Sequence, residues 1–378
     1  MKASSDKTEV VITGMGLVTP LGCVPGQILD RLLSGEKAFR AVPFASRICP
    51  FHAPVVEFDA TQYFPDNKTL RLMNRDAQMA VVAARLAMQD AGVVPDQLYP
   101  AEEIALYGAT GLSGMPPAEI AGLIKNAAGA DGLLDLRRFG EVALRKVRPV
   151  LSFKILGNMP ICFVSIFENL RGPNAVYTPW EGHGAEAIAA GIRAVGSGEV
   201  PCAVVGACDV KIHPLSLLSL QQLGLLNSWQ QLGSGSVPGE GAAFLVIERR
   251  DLAVRRGARI CAAIRRHALR SITPRTPLSE VLADVLRGLN VQGSVQIVMA
   301  GDGDPLIADA EHAAIEAADL FPCGTLRPKS QLGNLFAAAA PVQVALAATL
   351  AARHPGMPVV ADCFGPGTEQ AAFVVEAA

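Results

Sequence analysis

The sequence predicts an α/β fold in which a sheet is covered by helices on both faces. Two observations lead to this prediction. Short, continuously apolar runs, such as Val10-Val-Ile12 and Ala203-Val-Val-Gly206, are typical of strands that are buried on both faces. Segments with apolar residues at helical spacing, such as 75–91, alternate with these runs. The 378 residues are 50% hydrophobic but only 5% aromatic, which indicates a large core built from small side chains.

In the first part of the chain, most apolar runs are followed by residues that are typical of a turn or of a helix. The run at 10–12 leads into a predicted glycine-rich turn at 13–16. The helix at 75–91 ends at Gly92, because glycine is typical of helix C-termini. Further along, the pattern predicts strands at 104–108, 203–206 and 243–247 and a helix of small residues at 184–195. The charged segment 249–256 is predicted to lead away from the core.

The second part of the chain repeats this alternation, with strands predicted at 295–299 and 373–375 and helices at 308–318 and 337–352. We therefore predict an internal duplication in which the strand at Val10 is echoed by the strand near Val295. The predicted units are an N-terminal half, residues 1–248, and a C-terminal half, residues 249–378. The Gly/Ser/Pro-rich stretch 233–239 lies between apolar segments and is predicted to be an ordered loop rather than a linker.

Composition and charge exclude several classes of function. Lys and Arg sum to 33 and Asp and Glu to 35, and the net charge of −2 leaves no electrostatic footprint for nucleic acid. No uninterrupted apolar stretch reaches 18 residues, so no membrane span is predicted. Residues 1–8 lack the apolar core of a secretory signal, and the eight cysteines lack CxxC spacing. We expect a cytoplasmic protein with reduced cysteines, no structural zinc and no disulfide framework.

Five segments, taken in order, resemble the β-ketoacyl synthases. They correspond to that family's opening strand and loop, the segment before its active cysteine, its Gly-Glu-Gly turn, its lysine-and-histidine motif and its late glycine-rich loop. The segments are Val10–Gly22, Asn158–Pro160 with Leu170–Asn174, Val237–Gly241, Pro328–Asn334 and Phe364–Gly367. The resemblance implies a dimeric protein with a duplicated, five-layer αβαβα thiolase fold.

The residues that carry the family's chemistry are replaced in this chain. Decarboxylative condensation needs a thiolate of lowered pKa to accept the acyl chain, and donors that stabilise an enolate. In the family a cysteine and two histidines serve these roles, with a lysine nearby. The cysteine position falls on Glu181, seven residues after Asn174; the first histidine position falls on Gly301 or Asp302. The second histidine position falls on Asn334, five residues after the retained Lys329, and a family glutamate falls on Gln343. The resemblance therefore predicts that no catalytic set for condensation is intact.

This pattern resembles the chain length factor, the non-catalytic partner of the ketosynthase in type II polyketide systems. There the cysteine is usually glutamine, so Glu181 fits a divergent branch better, such as the factors of aryl polyene or other Gram-negative systems. The resemblance implies a heterodimer with an active, cysteine-bearing ketosynthase, whose tunnel this subunit would shape. A carrier protein's phosphopantetheine arm would deliver substrate mainly to the partner, and no other cofactor is implied.

Two other functions stay open from the sequence, and whether the chain is itself an enzyme is undecided at this point. One is a stand-alone decarboxylase or acyl hydrolase with Glu181 as base, although a decarboxylase would still need the missing histidines. The other is a homodimeric acyl-binding protein with no partner enzyme.

Several side chains near the replaced positions have both a functional and a structural interpretation. Glu181 would simply cap a helix N-terminus, or would hold the site shut through a salt bridge. Lys329 is expected to make an internal ion pair, with Glu181 or with Glu311. His183 could pair with Glu181 as acid and base, but residues two apart on a helix do not point the same way. Trp180 could plug the former substrate pocket.

Candidate tunnel or interface residues lie mainly in the segment 111–151, which in the family lies at the dimer interface. The candidates are Leu112, Met115, Leu134 and Phe139, and Trp180 beside the replaced cysteine. Each of the four in the segment also reads as an ordinary core residue. Asp302 and Asp304 lack a third ligand at useful spacing, so no metal site is predicted.

Overall fold

The computed structural model describes residues 9–42, 49–56, 58–64, 67–112, 117–223, 225–226, 237–301 and 304–378. Within these ranges the chain forms twelve strands. The strands are β1 (Val10–Val18), β2 (Arg40–Ala41), β3 (Phe51–His52), β4 (Ile104–Thr110), β5 (Asn174–Tyr177), β6 (Cys202–Val210), β7 (Glu240–Arg249), β8 (Ala262–Ser271), β9 (Ser294–Val298), β10 (Phe321–Leu326), β11 (Val359–Cys363) and β12 (Glu369–Glu376).

The same ranges contain fourteen α-helices, joined in places by short 3-10 or π turns. The helices are α1 (Pro25–Leu33), α2 (Asn67–Leu70), α3 (Arg75–Ala91), α4 (Pro117–Ala127), α5 (Leu136–Arg138), α6 (Leu151–Ile155), α7 (Met159–Phe167), α8 (Glu181–Ser197), α9 (Pro214–Gln222), α10 (Arg250–Arg255), α11 (Leu278–Gly288), α12 (Pro305–Ala317), α13 (Lys329–Leu332) and α14 (Ala339–Arg353).

Ten of the strands form one mixed sheet that is built twice over. Its order is β10-β9-β11-β12-β8-β1-β7-β6-β4-β5. Outward from the centre, the first half of the sheet has the order β1, β7, β6, β4, β5, and the second half has the order β8, β12, β11, β9, β10. If the small pair of β2 and β3 is left out, both halves therefore arrange their five strands in the same way: the first along the chain, then the fifth, fourth, second and third. The directions repeat as well: in each half the first three strands are antiparallel and the last two pairings are parallel. The antiparallel pairing of β1 with β8 joins the two halves. The duplication predicted from the sequence is therefore present in the topology.

Helices fill the space between the two halves and cover their outer faces. Helices α8 and α14 contact each other, and each contacts strands of both halves. Helix α3 covers β1, β6 and β7, and α11 covers β8 and β12 on the other side. The layers are therefore α3, first half-sheet, α8 with α14, second half-sheet and α11, which is the predicted αβαβα arrangement.

Helix α14, with the turn before it, is the central core helix. The stretch Phe336–Arg353 is long and apolar enough to cross a membrane by length and composition, but 83% of it is buried inside the fold. Its alanines lie between the two half-sheets, where small side chains allow the layers to approach closely. We therefore assign this apolar stretch to the protein core.

The glycines near the start of the chain do not form the predicted turn. Strand β1 continues to Val18, and Gly14 and Gly16 face helix α3. A Cβ on Gly14 would lie 2.2 Å from the carbonyl oxygen of Ala87, and one on Gly16 would lie 2.0 Å from that of Ala83. The turn prediction is wrong because these glycines serve a close contact between strand and helix rather than a bend.

Two further predictions need correction. The strand equivalent to β1 is β8, the first strand of the second half, and not the strand near Val295, which is β9. The segment 249–256 does not leave the core: α10 buries Ala253, and Arg256 pairs with the buried Glu248 at 2.5 Å. The division at residue 248 stays a prediction. Of the stretch 233–239, residues 233–236 lie outside the described part of the chain.

Candidate functional site

Glu181 is the first residue of α8 and is completely buried. The helix follows β5 through a short turn and carries Trp180 as its N-cap residue. Glycines and alanines dominate the following turns because the helix lies between the two half-sheets. The positive end of the helix dipole stabilises a carboxylate at this place.

The Glu181 carboxylate has two partners from the segment around α13. The Nδ2 atom of Asn334 donates to Glu181 Oε1 over 2.8 Å, and Lys329 Nζ lies 3.5 Å from the same oxygen. Lys329 also donates to the carbonyl oxygen of Phe364 over 3.3 Å. The predicted ion pair of Lys329 is thus with Glu181. We call these three residues, Glu181, Lys329 and Asn334, the Glu181 site.

Asn334 is held rigidly by its own backbone and side chain. Its N–H donates to the carbonyl oxygen of Val237 over 2.6 Å, and its own carbonyl oxygen accepts from Gly239 over 2.8 Å. Its Oδ1 accepts from the N–H of Phe336, which adopts a positive φ of 49°. A bulky residue in this region is strained, so the fold holds the turn after Asn334 in place.

The glycine-rich loop 364–367 closes over the Glu181 carboxylate. The side-chain amide of Gln370 bonds to the N–H and carbonyl of Gly365 and to the carbonyl of Gly367. A Cβ on Gly365 would lie 2.6 Å from the Glu181 carboxyl group. Glu181 Oε2 is buried and has no hydrogen-bond partner among the described residues. The loop therefore needs glycine here and seals the carboxylate from solvent.

A second pair of buried carboxyl groups, Glu311 on α12 and Asp362 on β11, lies beside Lys329. Glu311 accepts from the N–H groups of Ala300 and Gly301 over 2.8 and 3.0 Å. No donor among the described residues reaches either oxygen of Asp362. Burial raises the pKa of both groups, and the neighbouring Glu311 raises that of Asp362 further. Two neighbouring carboxyl groups in a dry interior disfavour a second negative charge, so the pair keeps a proton to a higher pH than an exposed carboxyl group does.

Gly301, one of the two predicted positions of the first family histidine, has no room for a side chain. A Cβ there would lie 2.7 Å from the backbone of Ala308. The correspondence of this position to the family histidine stays a prediction. Asp302 lies outside the described residues. Asp304 caps α12 by accepting from the N–H of Leu306 over 3.2 Å.

Trp180 and His183 turn away from Glu181 toward other partners. His183 Nδ1 accepts from the N–H of Trp180 over 3.3 Å, and its Nε2 lies 3.5 Å from Glu369. The half-buried ring of Trp180 packs on Phe336, with ring centroids 6.3 Å apart. Glu181 and His183 therefore do not form an acid-base pair. Whether Trp180 fills a former substrate pocket stays a prediction.

The structure separates the tunnel candidates by exposure. The side chains of Leu112 and Leu134 are 63% and 65% exposed, so neither is a core residue in this chain. Phe139 is half-buried in the π turn after α5. Met115 lies outside the described residues. Their role as tunnel or interface residues stays a prediction.

The sequence reasoning missed the carboxyl pair and a buried ion pair next to the site. Asp209, at the end of β6, lies 2.8 Å from Lys211 and accepts from the N–H of Ala337. Gln343 donates to the carbonyl oxygen of Met299. The one available signal was an acidic residue inside an otherwise apolar strand, as Asp362 is within 359–363.

The arrangement offers a buried carboxylate that is paired with an ammonium group and accepts a hydrogen bond from an amide. Among the described residues, no group of three or more His, Cys, Asp or Glu side chains could hold a metal ion, and all eight cysteines are free. The hydrogen-bonding partners of Glu181 are an ammonium group and an amide, so no imidazole in contact with it can take a proton. The site can fix charge and structure, but it contains no thiol that could carry an acyl chain as a thioester.

Comparison with known proteins identifies relatives over most of the chain. The family model described as β-ketoacyl synthase, N-terminal domain, matches residues 7–253. The 3-oxoacyl-[acyl-carrier-protein] synthase 2 of Synechocystis is 28% identical over 68% of this chain, and the chain spans 62% of that relative's length. The ketoacyl synthase beta subunit of the tetracenomycin polyketide synthase from Streptomyces glaucescens is 27% identical over 91% of this chain and 85% of its own.

Solved structures share the fold over nearly the whole chain. The ishigamide ketosynthase/chain length factor has a TM-score of 0.77 at 20% identity, covering 98% of this chain and all of that one. A type II polyketide ketosynthase in complex with its acyl carrier protein has a TM-score of 0.77 at 17% identity, with the same coverage. These similarities establish the thiolase-like ketosynthase fold.

Proposed function

The chain belongs to the β-ketoacyl synthase family, and from that premise we propose that it is a non-catalytic chain length factor that pairs with an active ketosynthase. The observation that carries the proposal is the Glu181 site. The carboxylate at the position that the sequence motifs assign to the family's cysteine is completely buried, accepts a hydrogen bond from Asn334 and is paired with Lys329. A subunit with this site needs a partner to supply the thiol and the imidazoles.

Exposed apolar side chains support a subunit interface along one segment. Of the 21 large hydrophobic side chains that are exposed among the described residues, ten lie within 112–166. They are Leu112, Ile124, Leu133, Leu134, Leu136, Leu144, Phe153, Ile155, Leu156 and Ile166. Such a concentration in less than a sixth of the chain is typical of a surface that another protein covers. Strand β5, at the end of the sheet and paired only with β4, leaves an edge that can extend this interface.

We assign the delivery of substrate to an acyl carrier protein that carries a phosphopantetheine arm. A structural neighbour of this chain is a type II polyketide ketosynthase in complex with its acyl carrier protein. In this chain Arg138, Arg145 and Arg148 are exposed and have no acidic partner among the described residues. They lie in the same segment as the proposed interface, where they would attract an acidic carrier. The pair would work in the cytoplasm, with no cofactor of its own.

The alternative of a decarboxylase or hydrolase with Glu181 as base has less support. A general base must reach the proton that it removes. Glu181 is 0% exposed, and the loop 364–367 covers it.

The experiment is an intact-mass assay on malonyl and acyl carrier protein with three preparations: this chain, a cysteine-bearing ketosynthase from the same organism, and both together. We expect elongation only when both are present, and we expect it to depend on the cysteine of the ketosynthase. Loss of carbon dioxide from malonyl carrier protein with this chain alone, abolished in Glu181→Gln, would overturn the proposal in favour of the alternative.

A further inference from the structure

A groove of about 950 Å³ lies at the seam between the two halves of the sheet, and we call it the arginine groove. Its floor includes Val10 of β1 and Ile264 of β8, which are paired residues of the two halves. Helix α8 contributes Ile192, Arg193 and Gly196 to its lining. The full lining is Glu9, Val10, Ile192, Arg193, Gly196, Ile264, Arg265, Arg266, His267 and Gly288. Its size is that of a small-molecule site.

A β-bulge turns two consecutive arginines toward this groove. Along the pairing of β8 with β12, Arg266 is opposite Val374 and Ile264 is opposite Val375, so Arg265 is the extra residue. Neighbouring residues of a regular strand point to opposite faces, but a bulge places both on one side. Arg265 and Arg266 are both exposed and both line the groove.

The charges in the arginine groove are not balanced. Glu9 is its one acidic lining residue, and it is already paired with Arg250 and Arg265. Arg266 donates to the carbonyl oxygen of Leu289 over 3.4 Å, which orients the guanidinium without neutralising it. Arg193 has no hydrogen-bond or ion-pair partner among the described residues.

By contrast, the arginines between residues 249 and 265 all form ion pairs with acidic side chains. Ion pairs are made by Arg249, Arg250, Arg255, Arg256, Arg259 and Arg265. Arg193 on α8 and Arg266 on β8 are thus two arginines that line one groove without an acidic partner among the described residues, in a chain whose net charge is −2. The planar fork of a guanidinium group matches the oxygens of a phosphate.

We propose that the arginine groove binds the phosphate or diphosphate group of a small-molecule ligand, held between Arg193 and Arg266. Arg265, fixed by Glu9 and Glu376, would border the anion without having to move. The apolar side chains of Ile192 and Ile264 would contact the rest of the ligand. This inference does not depend on the chain length factor role, because it concerns a different surface from the Glu181 site.

The test is isothermal titration calorimetry of the full chain with inorganic pyrophosphate, ADP and adenosine. We expect pyrophosphate and ADP to bind at one site, and adenosine, which lacks the phosphates, to give no saturable heat. Arg193→Ala and Arg266→Ala should each weaken binding roughly tenfold, the usual effect of losing a hydrogen bond to a charged group. The matched control is Arg275→Ala, which removes an exposed arginine outside the groove and should change affinity less than twofold.

Two results would overturn the proposal. One is the absence of saturable binding of pyrophosphate to the unaltered chain at millimolar concentration. The other is an equal loss of affinity in Arg275→Ala, which would show attraction to surface charge in general. Thermal unfolding of each variant without ligand checks that the fold is unchanged, as expected for exposed side chains.

Discussion

The ion pair between Glu181 and Lys329 is the residue-scale feature on which the proposed function depends. Both side chains are buried, at 0% and 4% exposure, so each charge relies on the other in a medium with little water. Burying a carboxylate is costly unless its charge is compensated, and Lys329 and Asn334 supply that compensation. The retained lysine thus has a structural role in this chain.

Lys329→Met should therefore destabilise the protein strongly. It leaves the Glu181 carboxylate buried without a counter-charge, and the expected loss is about 3 kcal/mol or more in the free energy of unfolding. Urea unfolding measures this loss. Glu181→Gln combined with Lys329→Met removes both charges and should recover most of it. A loss below about 1 kcal/mol in the single variant would show that the pair is not needed.

The buried carboxyl groups of Glu311 and Asp362 should make the folded protein less stable as the pH rises, whereas a carboxylate in a salt bridge makes it more stable. Burial raises the pKa of both groups in the folded state, so the folded protein keeps a proton that the unfolded chain releases above about pH 4. Stability should therefore fall as pH rises from that value up through the raised pKa. Each retained proton changes the free energy of unfolding by at most about 1.4 kcal/mol per pH unit.

Asp362→Asn should remove most of this dependence. At pH 8 the variant should melt at a higher temperature than the unaltered chain, and at pH 5 the difference should shrink. Differential scanning calorimetry between pH 5 and pH 9 measures both. Asp284→Asn, an exposed carboxyl on α11, is the control and should leave the pH profile unchanged. Equal pH profiles for Asp362→Asn and the unaltered chain would contradict the retained proton.

At the scale of single elements, the close contact of β1 with α3 fixes the first half of the fold. Gly14→Ala and Gly16→Ala would place a Cβ within 2.2 Å of helix carbonyl oxygens, so strand and helix would have to separate. We expect a loss of about 3 kcal/mol or failure to fold, measured by denaturant unfolding. Gly122→Ala in α4, with nothing within 4 Å, should instead stabilise by about 0.5 kcal/mol. A loss of stability in that control as large as in Gly16→Ala would contradict this account.

Elements with a strong local signal could be predicted, and those that depend on distant contacts could not. Helix α3 ends at Gly92 as expected, since a left-handed glycine is a local signal. The role of Gly14 could not be predicted, because the helix backbone that it contacts, at Ala87, lies far along the chain. Spacing within motifs places Glu181, Lys329 and Asn334 in one site, and the structure brings the three side chains into contact; their equivalence to the family's catalytic residues stays a prediction. The carboxyl pair could not be predicted, because only the folded structure brings Asp362 on β11 near Glu311 on α12.

At the scale of the whole molecule, the described residues expose a concentration of apolar side chains in one segment. The segment 112–166 exposes apolar side chains beside the β5 edge. Leu112→Asp and Leu134→Asp should weaken association with the ketosynthase at least tenfold, because each buries a charge in an apolar interface, and should leave the melting temperature of the isolated chain unchanged. Leu306→Asp, 74% exposed outside this segment, is the matched control. Equal weakening by all three, measured by surface plasmon resonance, would rule out this interface.

The measurement that tests the central claim most directly is co-purification of the tagged chain from its native host, with the partner identified by mass spectrometry. The account predicts a cysteine-bearing ketosynthase in about one-to-one ratio, retained through size-exclusion chromatography. Recovery of this chain only, as a homodimer, would contradict it and would favour a function that the Glu181 site performs without a partner enzyme.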